Sequence, residues 1–357
     1  MRILGYPGGA FLPWFPQSDA LYEKNAVLQM TSGPIPYVVK TNSLSFRGEE
    51  ITTEKPPGTL RIAAVGDSIT DGFFVDNEST WEYYLEDMLA SQLQKHVEVI
   101  NCAHGGGSID KQLAILKRFV LPLKPDLVIL TFVTNDISDI RGKTRSKLIR
   151  GEYPIQRGWL SRFFLTQTAV GEFLFDLVLR IRSSSYRKKQ TPEQLASGKL
   201  LGESRYTIPG GDDFSKNAQL YLERRQKKDG LVLGRSFDKR TSKLVGNYIF
   251  ALEEFISTCN TNEIELLFVY FPAYSQIYGL TPARFINNVM KEACLELNTD
   301  FLDLTDGFIS HGKNNILHFA PVDYHLNPSG NNLFARLVSE CVLTMFQIDP
   351  RFPMRGY

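Results

Sequence analysis

Apolar residues along this chain fall into two regimes. Short runs of aliphatic and β-branched residues, closed by glycine or small polar residues, alternate with longer segments in which apolar positions recur every three or four residues. Runs of the first kind predict buried strands, and segments of the second predict amphipathic helices. Strands are expected in the run opening at Arg61, at 97–100, 126–133, 264–271 and 300–304. Between them, helices are expected over about 79–93, 109–120, 242–258, 282–297 and 328–346. In the first of these helices Trp81, Tyr84, Leu85, Met88, Leu89 and Leu93 share the spacing, and Ser79 or Thr80 is placed to cap it. Pro122 and Pro125 break the second helix before the third strand.

Near-continuous apolar strands alternating with crossover helices imply a parallel sheet covered on both faces. The fold class is therefore α/β: a three-layer α/β/α, flavodoxin-like, doubly wound sheet of about five strands. Residues 1–58, rich in Pro, Gly and aromatics, lack steady periodicity. They read as an irregular arm with a short strand at 37–40, ahead of one domain over 59–350. The alternation breaks between about 138 and 240, which reads as a helical insertion. Phe163, Val170, Phe173, Leu174, Leu177, Val178 and Ile181 would share one helical face there. Residues 141–190 hold twelve Lys or Arg against three acids, a local charge of +9. Such a helix can lie on an anionic membrane surface; the plainer alternative is a cap helix with a solvated basic face.

The whole chain of 357 residues carries a net charge of only +1, which gives no case for a nucleic-acid partner. With 43% hydrophobic and 22% charged residues it has an ordinary globular composition. The four cysteines are widely spaced and sit in apolar patterns, so buried thiols are expected rather than disulfides or a metal site. The first sixteen residues show no basic cap followed by an apolar core and a cleavage site. The default expectation is a cytoplasmic protein, or an extracytoplasmic one if a leader was removed. Oligomeric state is left open.

The candidate chemistry gathers where strands end. The first strand stops at Gly66-Asp67-Ser68-Ile69-Thr70, which would hold the Ser68 hydroxyl at the carboxyl edge of the sheet, where open α/β sheets keep their ligand crevices. A serine nucleophile needs a general base. Of five histidines, His96 sits in a polar link, while His311 and His318 lie in a loop-like stretch. His325, in Val322-Asp-Tyr-His-Leu-Asn-Pro-Ser-Gly330, falls just before the last helix at that same edge. Asp323, two positions earlier, could orient the ring, since side chains two apart in extended backbone share a side. Taken alone, both could be serving a helix cap and surface solvation. Acyl transfer also needs donors for the developing oxyanion. The Ser68 N–H, the Gly106 N–H of the triple-glycine loop 105–107 and the Asn135 amide are on offer. Alone, the glycines read as a tight turn or a weak phosphate loop, and Asn135 as a strand cap. His104, two residues before Gly106, could contact substrate or merely satisfy local backbone groups. Tyr274, after a strand end, could stack on a sugar ring.

In order along the chain, Gly66–Thr70, Asn101–Gly106, Thr134-Asn135-Asp136 and Asp323–His325 resemble the four blocks of the SGNH (GDSL-type) hydrolases. Residues 41–48 faintly resemble a lead-in found in some bacterial members. The resemblance implies esterase, lipase, thioesterase or carbohydrate deacetylase activity without a cofactor. It implies Ser68 as nucleophile, His325 as base, Asp323 as its orienting acid, and Gly106 and Asn135 completing the oxyanion hole. Val133 stands where the family usually has glycine, which would narrow the space beside that hole. The last block is Asp-x-His where Asp-x-x-His is common, leaving Asp303 and Asp306 as alternative carboxylates. The shortened form is similar to branches that include polysaccharide O-acetyl esterases and acetyltransferases. The leading expectation is a serine esterase acting on short acyl esters, with O-acetyl groups on a carbohydrate among the candidates. An O-acyltransferase acting on a polysaccharide, or a non-catalytic binding module on the same scaffold, are the alternatives.

Overall fold

The computed structural model describes residues 21–30, 35–106, 108–140, 143–149, 232–279, 281, 283–319 and 323–348. The expected basic helix within 138–240 lies almost wholly outside the described residues.

Five strands form one parallel sheet: β3 (Leu60–Val65), β4 (Val97–Asn101), β5 (Leu127–Phe132), β6 (Glu265–Tyr270) and β7 (Asp300–Asp303). Their order across the sheet is β4-β3-β5-β6-β7. The chain leaves β3 first to one side and then returns to pair on the other. That reversal makes the carboxyl ends of β3, β4 and β5 the switch point at which open α/β sheets bind ligands.

Alternate residues of these strands feed two separate cores, because side chains in a strand point to opposite faces. On one face, Ala63, Val65, Val128 and Leu130 meet Leu113 of α3 (Ile109–Ile115) together with Leu252 and Phe255 of the helix Lys239–Thr261. On the other, Ile62, Ala64, Leu127 and Ile129 meet Leu85 and Leu89 of α2 (Trp81–Leu93) and Phe334 and Val338 of the last helix, Pro328–Ile348. Trp81 stacks on Phe334 with ring centroids 4.6 Å apart, joining those two helices. The architecture is the three-layer α/β/α sandwich that the alternating pattern predicts. Thr80 caps α2 by accepting from the Tyr83 N–H.

Two elements differ from expectation. The helix expected over 109–120 is α-helical only to Ile115 and continues as a wider π turn, Leu116–Val120. Pro122 lies in the 3-10 turn that follows, Leu121–Leu123; it has no N–H to offer the preceding turn, and the wider helix ends there. The stretch holding His311, expected as loop, is the helix Thr305–Gly312. Its apolar signal is weak, with Phe308 its only fully buried large side chain.

Ahead of β3, the chain builds an antiparallel hairpin of β1 (Val27–Met30) and β2 (Tyr37–Lys40), the second being the short strand expected there. Leu28, Met30, Tyr37 and Val39 face the core, while Val27 points to solvent. Among the described residues no helix is long and apolar enough to cross a membrane.

Candidate active site

The serine turn is set by small residues at close quarters. A Cβ on Gly66 would overlap the Thr70 side chain and stand 3.3 Å from Thr131 Cβ on β5, so only glycine fits without displacing its neighbours. Asp67 then caps a single helical turn, α1 (Ser68–Asp71), its Oδ1 accepting from the Ile69 N–H at 2.9 Å. Gly72 closes the turn at φ +77°, a left-handed conformation that favours glycine. Ser68 is thereby the first residue of the turn, where its N–H has no intrahelical acceptor.

The hydroxyl meets a histidine from the far end of the chain. Ser68 Oγ lies 2.8 Å from His325 Nε2. The other ring nitrogen, Nδ1, is hydrogen-bonded to Asp323 Oδ1, which also accepts the His325 backbone N–H at 2.9 Å. The loop is held from below: the Phe319 N–H donates to the His325 carbonyl and the Asp323 N–H to the Phe319 carbonyl. Of the carboxylates considered at sequence level, Asp323 is the one on the ring. Asp303 instead bonds Thr305 and Asn287, and Asp306 pairs with Arg284. Three aromatic rings surround His325: Tyr324 stacks on it at 4.4 Å, with Phe73 at 5.2 Å and Phe74 at 5.4 Å.

The two expected side donors come from the ends of β4 and β5. Asn135 opens the short helix Asn135–Asp139, and its Nδ2 donates to Asp67 Oδ2 at 3.1 Å. Asp67 thus caps the serine turn with one oxygen and aims the asparagine with the other. Beneath it Asp136 is fully buried, accepting from the Val133 N–H at 3.3 Å, while its carbonyl accepts from Ser108 Oγ at 2.6 Å. Burial, reinforced by the nearby Asp67 charge, pushes the Asp136 carboxyl well above the ordinary carboxylate range. Val133 is buried in the core, its N–H turned to Asp136.

Gly106 takes φ +68° in the loop after β4. Asn101 ties this loop to the serine turn, its Nδ2 donating to the Thr70 carbonyl at 2.8 Å and its Oδ1 accepting from the Ala103 N–H at 3.1 Å. The Gly105 N–H donates to Asp71 Oδ2 at 2.7 Å. A Cβ on Gly105 would stand 2.6 Å from Phe73 Cε1, so the Phe73 ring lies directly against this loop.

Other residues took different places. His104 is buried, its Nδ1 2.7 Å from Lys111 Nζ and its ring beside Tyr22. Tyr274 is buried in a cluster with Tyr278 and His318. His311, in its helix, bonds the Gly307 carbonyl, and His96 bonds Thr59. Among the described residues no group of His, Cys, Asp or Glu is arranged to hold a metal ion.

Several supporting residues carried no signal of their own in the sequence. Arg47 is buried and fans its guanidinium onto the carbonyls of Asp71, Gly72 and Val75, at 2.6, 2.8 and 2.5 Å. Tyr22 donates its hydroxyl to Asp71 Oδ1. The arm before β3 therefore buttresses the turn that carries Ser68. The faint resemblance of residues 41–48 to a family lead-in was the single trace of that role.

Residues 64–155 match the model of the GDSL-like lipase/acylhydrolase family. The matched segment is similar to that family. It contains Ser68, Gly106 and Asn135, while Asp323 and His325 lie beyond the matched residues of the GDSL segment. No curated protein matches the chain. Among solved structures, an acetylxylan esterase from Geobacillus stearothermophilus is 14% identical at a TM-score of 0.41, covering 81% of this chain and 95% of its own. A lipase/acylhydrolase from Enterococcus faecalis is 16% identical at 0.42, covering 80% and 96%. TesA is 13% identical at 0.43, covering 80% and 98%.

Proposed function

We propose that this GDSL-type protein is a serine esterase that works through an acyl-enzyme. The observation carrying the proposal is the relay from Asp323 through His325 to Ser68, with Nε2 2.8 Å from the serine oxygen. In the first half-reaction Ser68 Oγ attacks the ester carbonyl and its proton passes to His325 Nε2. The carbonyl oxygen becomes an oxyanion facing the Ser68 N–H, the Gly106 N–H and the Asn135 amide. Asp323 stabilises the imidazolium and keeps the ring turned toward Ser68. The intermediate collapses as Nε2 gives the proton to the departing alkoxide, leaving the acyl group on Ser68. Water then attacks under the same base, and the acid leaves as Ser68 recovers its proton.

A short acyl group is the better fit. Phe73 lies between the His325 ring and the Gly105 backbone, both of which flank the reacting carbonyl in this reading. An aromatic ring packed against both groups is the feature that favours a short acyl chain over a long one in this reading. Acetyl esters, including those on carbohydrates, fall within this class.

The test is turnover of p-nitrophenyl esters of increasing length by the wild type and Ser68→Ala. The variant is expected to lose roughly 10⁴–10⁶-fold in kcat, and a fluorophosphonate probe to label Ser68 in the wild type. Undiminished turnover in Ser68→Ala would overturn the mechanism. Loss of label with activity intact would move the nucleophile elsewhere.

A further inference from the structure

We propose that Lys111 is a positioning residue for the oxyanion hole, gripping the carbonyl of the very peptide whose N–H belongs to Gly106. This rests on the serine-esterase reading above and adds a residue that the four sequence blocks do not include.

Lys111 is the third residue of α3, and its side chain doubles back over the glycine loop. Its Nζ lies 2.9 Å from the Gly105 carbonyl oxygen, 2.6 Å from that of Gly106 and 3.3 Å from that of His104. It also lies 2.7 Å from His104 Nδ1. An ammonium has three N–H donors on a compact head, which suits a cluster of backbone carbonyls.

The consequence follows from the planarity of the peptide. In a trans peptide the C=O of one residue and the N–H of the next point in opposite directions. Holding the Gly105 carbonyl on Lys111 therefore turns the Gly106 N–H away from α3. The preceding peptide is held from the other side, by the Gly105 N–H on Asp71 Oδ2 at 2.7 Å. Asp71 belongs to the turn that carries Ser68, so the loop is pinned between the nucleophile's own turn and α3. Gly106 needs this restraint, because glycine at φ +68° has many other conformations within reach. A cation on the carbonyl also polarises the peptide, and hydrogen-bonded chains strengthen one another by roughly 10–30% per bond.

Lys111 is half-buried, its ammonium turned onto the loop rather than out to solvent. Burial lowers its pKa to about 8, against the pull of Asp71, Asp67 and Asp110. An aliphatic side chain would avoid that desolvation cost.

The experiment compares wild type, Lys111→Met and Lys111→Arg on p-nitrophenyl acetate from pH 6 to 10, with thermal melting of each. Lys111→Met is expected to lower kcat 10–100-fold with KM within about threefold, because the interaction it supports exists only in the transition state. Lys111→Arg is expected to recover at least a third of the wild-type kcat. Above about pH 8 the wild-type kcat should fall as the ammonium loses its proton, a limb that Lys111→Arg should carry to much higher pH. The other groups facing Nζ are Asp67 and Asp71, Tyr22 through Asp71, Asp110 with its partner Lys143, and His104. All of them remain in both variants, so a limb that disappears with Lys111 belongs to it.

A folded Lys111→Met within twofold of wild type across this range would overturn the proposal while leaving the esterase intact. A raised KM with unchanged kcat would make Lys111 a substrate contact and overturn it as well. If the Met variant loses its cooperative melt, the Arg variant decides, and a limb still at pH 8 there refutes the idea. A wild type with neither turnover nor probe labelling would fail the esterase reading, and this proposal with it.

Discussion

Asparagine at position 323 would separate two tasks that the carboxylate performs for His325. One oxygen, Oδ1, accepts both the His325 backbone N–H and the ring Nδ1–H. An asparagine in that rotamer must offer its carbonyl oxygen to the backbone N–H, since its NH₂ group cannot accept. The same carbonyl then still accepts from Nδ1–H, so the tautomer with a lone pair on Nε2 survives. What disappears is the negative charge beside the imidazolium. Two unit charges about 4 Å apart at an effective dielectric of about 20 attract by roughly 4 kcal/mol, a ceiling of about 10³-fold in rate. The Asp323 side chain is 21% exposed, so water takes a share of that energy. Asp323→Asn is therefore expected to lose about 10²–10³-fold in kcat. Asp323→Ala removes the charge and the orientation together and is expected to lose about 10⁴-fold. The assay is kcat for p-nitrophenyl acetate at neutral pH, on variants whose melting shows an intact fold. An asparagine variant as slow as the alanine one would refute the shared-oxygen reasoning, and an alanine variant within tenfold of wild type would remove Asp323 from the mechanism.

Asp67→Ala should lower stability by about 1 kcal/mol through the lost cap and kcat by about tenfold, because Asn135 loses its anchor; Asn135→Ala should cost roughly 10²–10³-fold. If kcat is unchanged in Asp67→Ala, the anchoring role is wrong. Phe73→Ala should widen the acyl site, raising kcat/KM for butanoate and hexanoate esters about tenfold relative to acetate; an unaltered chain-length profile would clear Phe73 of any part in selection. Gly330→Ala would drive a Cβ into the Leu317 backbone carbonyl and to within 2.7 Å of Leu326 Cδ2. Backbone cannot step aside as a side-chain tip can, so a loss of about 1–3 kcal/mol is expected as a lower Tm in calorimetry, and an unshifted Tm would contradict it.

The sheet and the meeting of its strand ends were legible in the sequence for one physical reason. Strands buried on both faces must be apolar throughout, and the polar residues that close them then stand out. Gly66–Thr70, Gly105-Gly106 and Asn135 are visible as three such closures. Chain order and the right-handed rule for parallel crossovers put them on one edge. The supporting network was not legible in the same way. Tyr22, Arg47, Asp71 and Lys111 meet across separations of up to 49 positions, and no local period marks them. β1 is four residues long with two apolar positions facing in, too little pattern to separate from loop. The helix holding His311 opens with Thr305-Asp306-Gly307, which reads as turn chemistry; tertiary packing of Phe308 makes it helical.

Ser68 and His325 stand 257 positions apart, and the loop bearing the histidine is followed at once by the helix that closes the second core. A growing polypeptide emerging from the ribosome would present its serine long before any imidazole could reach it. Contacts this distant are costly to form early, so the pairing of hydroxyl and imidazole would complete only late in folding. Any activity that needs this pair would then serve as a clock for the completion of folding.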